Sequence, residues 1–239
     1  MTRVATADAG QLPPEAEHFL VWMASERGRS VNTLSAYRRD LTGYAEWLHA
    51  AGGSLATVDR TALDRFVQAR RGSGAAPSSV ARQLAAIRML HRFLTEEGLR
   101  ADNPTADVEG VRVPAGIPHP LSEVEVTQLI DAVTGVDAAA LRDRALLEFL
   151  YATGARISEA CGLSLGDLDR DHRLVRLFAK GAKERIVPFG RTAATAMEEW
   201  LTRGRPQLEP ARWARRGDQE AVFLNTRGGR LTRQAGYAV

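Results

Sequence analysis

Arg173-Leu174-Val175-Arg176-Leu177-Phe178-Ala179-Lys180-Gly181-Ala182-Lys183-Glu184-Arg185-Ile186-Val187-Pro188 decides the fold class. Residues 173–179 alternate with a period of two and carry β-branched and aromatic side chains, the pattern of a strand. Residues 184–188 read as its partner. Lys180 to Lys183 then form the hairpin turn, where Gly181 supplies backbone freedom. Outside this hairpin the chain reads mostly as helix, with one further short strand at Val222 to Asn225. The fold class expected is therefore mostly α, with a small β-hairpin or sheet in a second domain.

The same stretch holds both lysines of the chain, against thirty arginines. Arginine keeps its proton at any useful pH, whereas lysine, with a reference pKa of about 10.4, can release one. Lysines confined to one turn point to a proton donor or to a compact charge at a crowded phosphate. Codon bias with coincidence is the plain alternative.

Upstream, four helices are expected. The first spans about 14–26 after Pro13-Pro14. Asn32 reads as the N-cap of the second, which runs to Ala51 and ends at Gly52-Gly53. Its apolar stripe is Leu34, Tyr37, Leu41, Ala45 and Leu48. A third runs from Asp59 or Thr61 to Arg71. The fourth, capped by Ser78, runs to Gly98 with the stripe Val80, Leu84, Ile87, His91 and Leu94. His91 on that stripe reads as a packed core residue. The opposite face carries Ser78, Arg82, Ala85, Met89 and Arg92. Small residues among arginines suit close approach to a DNA groove, and equally a solvated face.

The prolines at 104, 114, 118 and 120 mark an extended segment, read as a linker over 105–120. Residues 1–12 read as a disordered lead-in, 13–104 as the first domain and 121–239 as the second. Ser122 and Glu125 form a capping box for the next helix. A helix over 141–151 is broken by Thr153-Gly154, and a short one follows over 157–161. Residues 191–203 are helical, and Thr232 caps a last helix.

With 239 residues, 44% hydrophobic and 26% charged, the composition is that of an ordinary globular protein. The formal charge of +3 confines any nucleic-acid surface to a local patch. The single cysteine, Cys161, excludes an internal disulfide and a cysteine metal cluster and suits a cytoplasmic setting. Cys161 sits in an apolar run and reads as a buried thiol. No run approaches the ~20 apolar residues of a membrane span.

Tyr151-Ala152-Thr153-Gly154-Ala155-Arg156-Ile157-Ser158-Glu159-Ala160 resembles the first catalytic-arginine motif of tyrosine recombinases of the XerC/XerD type. Gly162-Leu163-Ser164-Leu165, Asp167-Leu168, Gly204-Arg205-Pro206, Phe223-Leu224-Asn225 and 227–234 follow in the family's order. Lys180 to Arg185 resembles its catalytic hairpin, and Asn32 to Leu41 its core-binding helix. The match covers nearly the whole chain. Leu231-Thr232-Arg233-Gln234 leans to the XerD branch, without separating it from XerC or from a phage or transposon integrase.

The resemblance implies an N-terminal four-helix, SAM-like core-binding domain and an α+β catalytic domain. It implies cleavage of DNA by a tyrosine through a 3′-phosphotyrosyl link, with no metal or other cofactor. Arg156 is then the first phosphate clamp and Lys180 the general acid for the departing 5′-oxygen. Candidate DNA contacts are Asn32, Thr33, Arg38, Arg39, Ser78, Arg82, Arg92, Lys183, Arg185 and Arg233. The implied partners are a double-stranded recombination site, related recombinase protomers forming a tetramer, and a DNA translocase as candidate activator. Chromosome dimer resolution at cell division is the implied setting.

The family's His-x-x-Arg pair, its later His or Trp and its nucleophilic tyrosine have no counterpart in residues 1–239. None of His18, His49, His91, His119 and His172 has an arginine three residues on. Tyr37 and Tyr44 belong to the first domain, Tyr151 precedes the arginine motif, and Tyr237 falls where the family has an ordinary helix residue. The chain therefore reads as a recombinase cut short. It is expected to bind DNA without cleaving it and to expose apolar surface over 121–239. A DNA-binding competitor without chemistry and a generic helical interaction protein are the alternative readings.

Overall fold

The computed structural model describes residues 12–114, 120–179 and 183–239. Most of the expected lead-in, part of the expected linker, and Lys180, Gly181 and Ala182 of the hairpin turn lie outside the described residues. The chain divides into two units, Met1–Ile117 and Pro118–Val239.

The first unit is helical: α1 Pro14–Ser25, α2 Val31–Ala50, α3 Arg60–Gly72 and α4 Pro77–Glu96. Asp59 caps α3 by accepting from the Ala62 N–H at 2.7 Å. The cap of α2 is Ser30, whose hydroxyl accepts from Thr33 N–H, so the expected cap at Asn32 falls inside the helix. Ser78 is likewise inside α4 and caps nothing. Ala76 holds the N-cap position and Pro77 starts the helix with a pre-set φ and no N–H to satisfy.

Val80, Leu84, Ile87, His91 and Leu94 are all buried against Phe19, Met23, Leu41, Tyr44 and Phe66. Each fully buried large apolar side chain contributes roughly 1.5–3 kcal/mol. His91 Nε2 lies 3.0 Å from the Tyr44 hydroxyl, while its Nδ1 has no partner. Burial pushes the His91 pKa down to about 4. The expected linker does not begin at 105. Thr105 and Val108 are buried, Val111 packs on the same core, and Arg88 donates to the Val108 carbonyl. Anchored by Val108, this stretch already belongs to the first core.

The second unit begins with α5 Glu123–Asp131, whose capping box between Ser122 and Glu125 forms as expected. Then come α6 Ala138–Thr153, α7 Ile157–Gly162, β1 Leu168–Asp169, β2 Leu174–Phe178 and β3 Glu184–Pro188. The three strands make an antiparallel sheet in the order β1-β2-β3, with Leu168 opposite Val175 and Arg176 opposite Ile186. Arg173 is outside β2. It sits in the left-handed region, φ 54°, at the turn from β1. Val175 and Leu177 point into a core with Phe149, Phe189, Trp200 and Phe223.

Helix α8 spans Arg191–Glu199 and continues through a widened turn, Trp200–Gly204, into α9 Arg205–Leu208. In that turn the Arg205 N–H bonds Trp200 O, five residues back. Pro206 cannot donate, and the wide turn precedes it. Val222 to Asn225 is not a paired strand. Ala221 to Leu224 are fully buried, but the segment makes only single bridges, Ser164 to Ala221 and Leu224 to Arg230. The chain turns back at Asn225 before a ladder can extend. Helix α10, Arg233–Gly236, is capped by Thr232 as expected. Leu121, Val124, Leu129, Val136, Phe178 and Ile186 are exposed.

Candidate active site and nucleic-acid interface

The α6–α7 junction is built to present one arginine. Thr153 turns its hydroxyl back to Phe149 O, 2.6 Å, and accepts from Ala155 N–H. Gly154 follows with φ 58° and ends α6. A side chain there would have open space around it, so the requirement is for the left-handed backbone alone. Arg156 then leaves in extended conformation as the N-cap of α7.

Glu159, one turn into α7, organises what surrounds Arg156. Its carboxylate accepts from the Arg156 backbone N–H at 2.9 Å and from Arg156 Nη1 at 3.0 Å. From β3, Arg185 closes a two-pronged pair on the same carboxylate, at 3.0 and 2.7 Å. The Glu159 side chain is only 4% exposed, whereas that of Arg156 is 71% exposed. The Arg185 hydrogen bonds, followed by those from Arg156, hold the Glu159 carboxyl at about 2 against the opposing effect of burial. Arg156 spends one guanidinium N–H on Glu159 and keeps the others for a ligand. This is a cation fixed at its root and open at its tip, the arrangement a phosphate clamp needs.

The other residues expected to contact DNA fall as follows. Lys183 is exposed immediately before β3, while Lys180 lies outside the described residues. Arg233 is exposed at the first position of α10. In the first unit Asn32 is exposed and Thr33 half-buried at the start of α2. Arg38 is paired on both nitrogens with Glu17 of α1, and Arg39 is exposed. Ser78, Arg82 and Arg92 line the exposed side of α4, with Arg92 3.6 Å from Glu96.

Two features had no signal in the sequence. Arg82 reaches across to Asp40 of α2, 2.5 Å, and Asp40 is buried. Gln83 donates to the Asp40 carbonyl and accepts from Arg70 Nε, both at 3.0 Å, which ties α2, α3 and α4 together. Burial, the dominant effect, pushes the Asp40 carboxyl up despite Arg82. The second feature is Arg230, whose guanidinium donates to Gly162 O and Leu163 O at 2.7 and 2.8 Å. It closes the C-terminal end of α7, the helix that Arg156 opens.

The comparisons agree with this frame. Residues 120–239 match the phage integrase family, and residues 16–98 match the phage integrase N-terminal SAM-like domain. The chain belongs to the phage integrase family, the tyrosine recombinases. Among curated relatives it is 43% identical to the tyrosine recombinase XerD of Corynebacterium glutamicum over 94% of this chain and 75% of that protein. The XerD of Mycobacterium tuberculosis gives the same identity and coverage, and that of Bifidobacterium longum is 38% identical over 93% of this chain and 74% of that protein. Among solved structures, the Tn1549 transposon integrase in complex with circular intermediate DNA superposes with a TM-score of 0.71 at 15% identity, over 92% of this chain and 74% of that one. A lambda integrase dimer bound to a core site gives 0.68 at 16% identity, over 93% and 76%. At such identities these two structures share the fold.

Proposed function

We propose that this protein acts in site-specific DNA recombination as an XerD-type tyrosine recombinase. The observation that carries the reading is Arg156, rooted on Glu159 and open to solvent. In this reaction a tyrosine oxygen attacks the scissile phosphorus, and a 3′-phosphotyrosyl bond replaces the bond to the 5′-oxygen. Arg156 neutralises the charge that builds on the non-bridging oxygens, and Lys180 gives its proton to the departing 5′-oxygen. The broken bond's energy is kept in the phosphotyrosyl link, so no nucleotide is consumed and rejoining runs the same steps backwards.

Lys183, Arg185 and Arg233 contribute phosphate contacts around this centre. In the first unit Asn32, Thr33, Arg38, Arg39, Ser78, Arg82 and Arg92 hold the duplex. The DNA-bound and multimeric forms of integrases named among the similar structures support a recombination site and further recombinase protomers as partners. Resolution of chromosome dimers in the cytoplasm, with a DNA translocase as activator, is the setting that fits the XerD likeness.

Residues 1–239 hold Arg156 and Lys180 but no His-x-x-Arg and no tyrosine placed as nucleophile. This polypeptide therefore binds duplex DNA and does not cleave it. A duplex nicked beside the scissile phosphate, which traps covalent intermediates, tests this. A salt-sensitive mobility shift without any covalent band is the expected result. A covalent adduct refutes the absence of cleavage, and no salt-sensitive binding refutes the DNA reading itself.

A further inference from the structure

Four exposed arginines of the second unit stand apart from Arg156 and have no assigned role. Arg212, Arg215 and Arg216 lie on the segment 209–217, after α9, and Arg227 lies on the turn after Asn225. The two segments interlock. Gly228 has φ 79°, and a Cβ there would come within 2.6 Å of Pro210 Cδ and 2.9 Å of Leu208 O. Only glycine lets the Arg227 turn sit this close. Asn225 holds the same turn by accepting from the N–H groups of Arg227 and Gly229, at 2.8 and 3.2 Å. Trp213 packs on the second core and anchors the longer segment between its arginines.

The charge here is positive and unspent. None of the four arginines makes an ion pair among the described residues. Glu209 is taken by Arg205, Asp218 is buried, and Glu220 is the remaining carboxylate on the turn that follows. No large hydrophobic residue between 202 and 230 is exposed. A protein interface wants an apolar centre. A surface that is basic, polar and without exposed apolar bulk fits the sugar-phosphate backbone of nucleic acid.

Arg230 connects this feature to the site. It leaves the Arg227 turn and closes the C-terminal end of α7, about 9 Å along the helix from Arg156 by the rise per residue. We infer that the interlocked segments form a second duplex-DNA contact, in which Arg212, Arg215, Arg216 and Arg227 bind backbone phosphates other than the one held by Arg156. The inference rests on the DNA-binding reading above and adds a separate anchor to it. Such an anchor supplies affinity and register while carrying no sequence preference of its own.

The test uses the 239-residue chain and a mixed-sequence duplex several helical turns long. Affinity is measured across a series of NaCl concentrations for wild type, for R212Q/R215Q/R216Q/R227Q, and for a control, R191Q/R203Q, at two exposed arginines elsewhere in the unit. Removing one arginine–phosphate pair lowers the slope of log K against log salt by about 0.9. A drop of about 3 to 4 is expected in the quadruple variant, with the control close to wild type and both melting like wild type. A drop below about 1, or an equal drop per charge in the control, overturns the inference. The same slope change with a broken fold is separated by R212K/R215K/R216K/R227K, which must restore the slope. Wild-type binding that does not depend on salt sinks the proposed function instead.

Discussion

Replacing Glu159 by Gln tests the arrangement that presents Arg156. Glutamine keeps the shape but removes the charge that two guanidiniums share. The Glu159 carboxyl ionises at about 2 in the folded chain, against an ordinary 4.5. At ~1.4 kcal/mol per pH unit this sets an upper bound of ~3.4 kcal/mol. Arg185 and Arg156 are 36% and 71% exposed, so solvent screening reduces the expected loss to roughly 1–3 kcal/mol. The sign follows from a depressed folded value. The contribution is complete above 4.5 and disappears as pH falls through about 2. Wild type and E159Q should therefore differ by a constant amount from neutral pH down to about 5 and converge below it. Urea unfolding read at the Trp200 indole N–H reports on this unit alone, because that proton is donated to Val222 O at 2.9 Å. A difference under about 0.5 kcal/mol at neutral pH, or one that does not narrow in acid, refutes Glu159 as the shared anchor of Arg156 and Arg185.

In the first unit, His91 should produce acid sensitivity. The unfolded chain takes its proton near 6.5 and the folded chain only near 4, so stability falls by up to ~1.4 kcal/mol per pH unit between those values. Urea midpoints of the Tyr44 environment at about pH 7 and pH 4.5 should show the loss in wild type and not in H91Q. Arg82→Ala leaves the buried Asp40 carboxylate uncompensated and should cost roughly 1–3 kcal/mol at neutral pH. Because the Asp40 carboxyl is already pushed up, the deficit should shrink as pH falls; a deficit independent of pH would contradict this. Gly154→Ala meets no atom and should cost only the left-handed backbone term, about 1–2 kcal/mol in a thermal melt. Arg100→Lys should cost more than its conserved charge suggests, since Arg100 donates to both Leu55 O and Val58 O; melting unchanged within error would refute that.

The helical stripes were legible because their information is local. Val80, Leu84, Ile87, His91 and Leu94 declare one face by spacing alone, and all five are buried. Caps were legible where only one candidate stood at the boundary, as at Ser122 and Thr232; at α3 the choice between Asp59 and Thr61 stayed open, and Asp59 takes it. At α2 the string Ser30-Val31-Asn32-Thr33 offers three capping side chains, and the first one wins by pairing with Thr33. The hairpin was legible from period two, but β1 was not, since two residues carry no period. The buried charges Asp40, Arg142, Glu159 and Arg205 could not be read as buried, because the partners that permit it arrive from distant segments. Of the arginine motif, the sequence showed Arg156 and its neighbour Glu159. It did not show that Arg185, 26 residues on, would occupy the same carboxylate.

That last point changes what the chain's arginine content means. Arg88, Arg100, Arg142, Arg205 and Arg230 spend guanidinium N–H groups on backbone carbonyls of loops, short turns and a helix end: Val108; Leu55 and Val58; Leu224; Ala221 and Gln219; Gly162 and Leu163. Except for Leu163 O, which also accepts from Val222 N–H, these carbonyls have no backbone donor among the described residues, and a planar group with five donors can serve two of them at once where an ammonium serves them poorly. Arg38, Arg82 and Arg185 are tied to Glu17, Asp40 and Glu159. A count of basic residues therefore overstates the charge offered to DNA. Arginines with N–H groups left open, such as Arg39, Arg156, Arg233 and the group at 212, 215, 216 and 227, should change a salt slope most, and Arg38, Arg82 and Arg185 less, since a phosphate must compete there with a carboxylate. Substituting Arg100 or Arg205 should change stability and leave the slope alone.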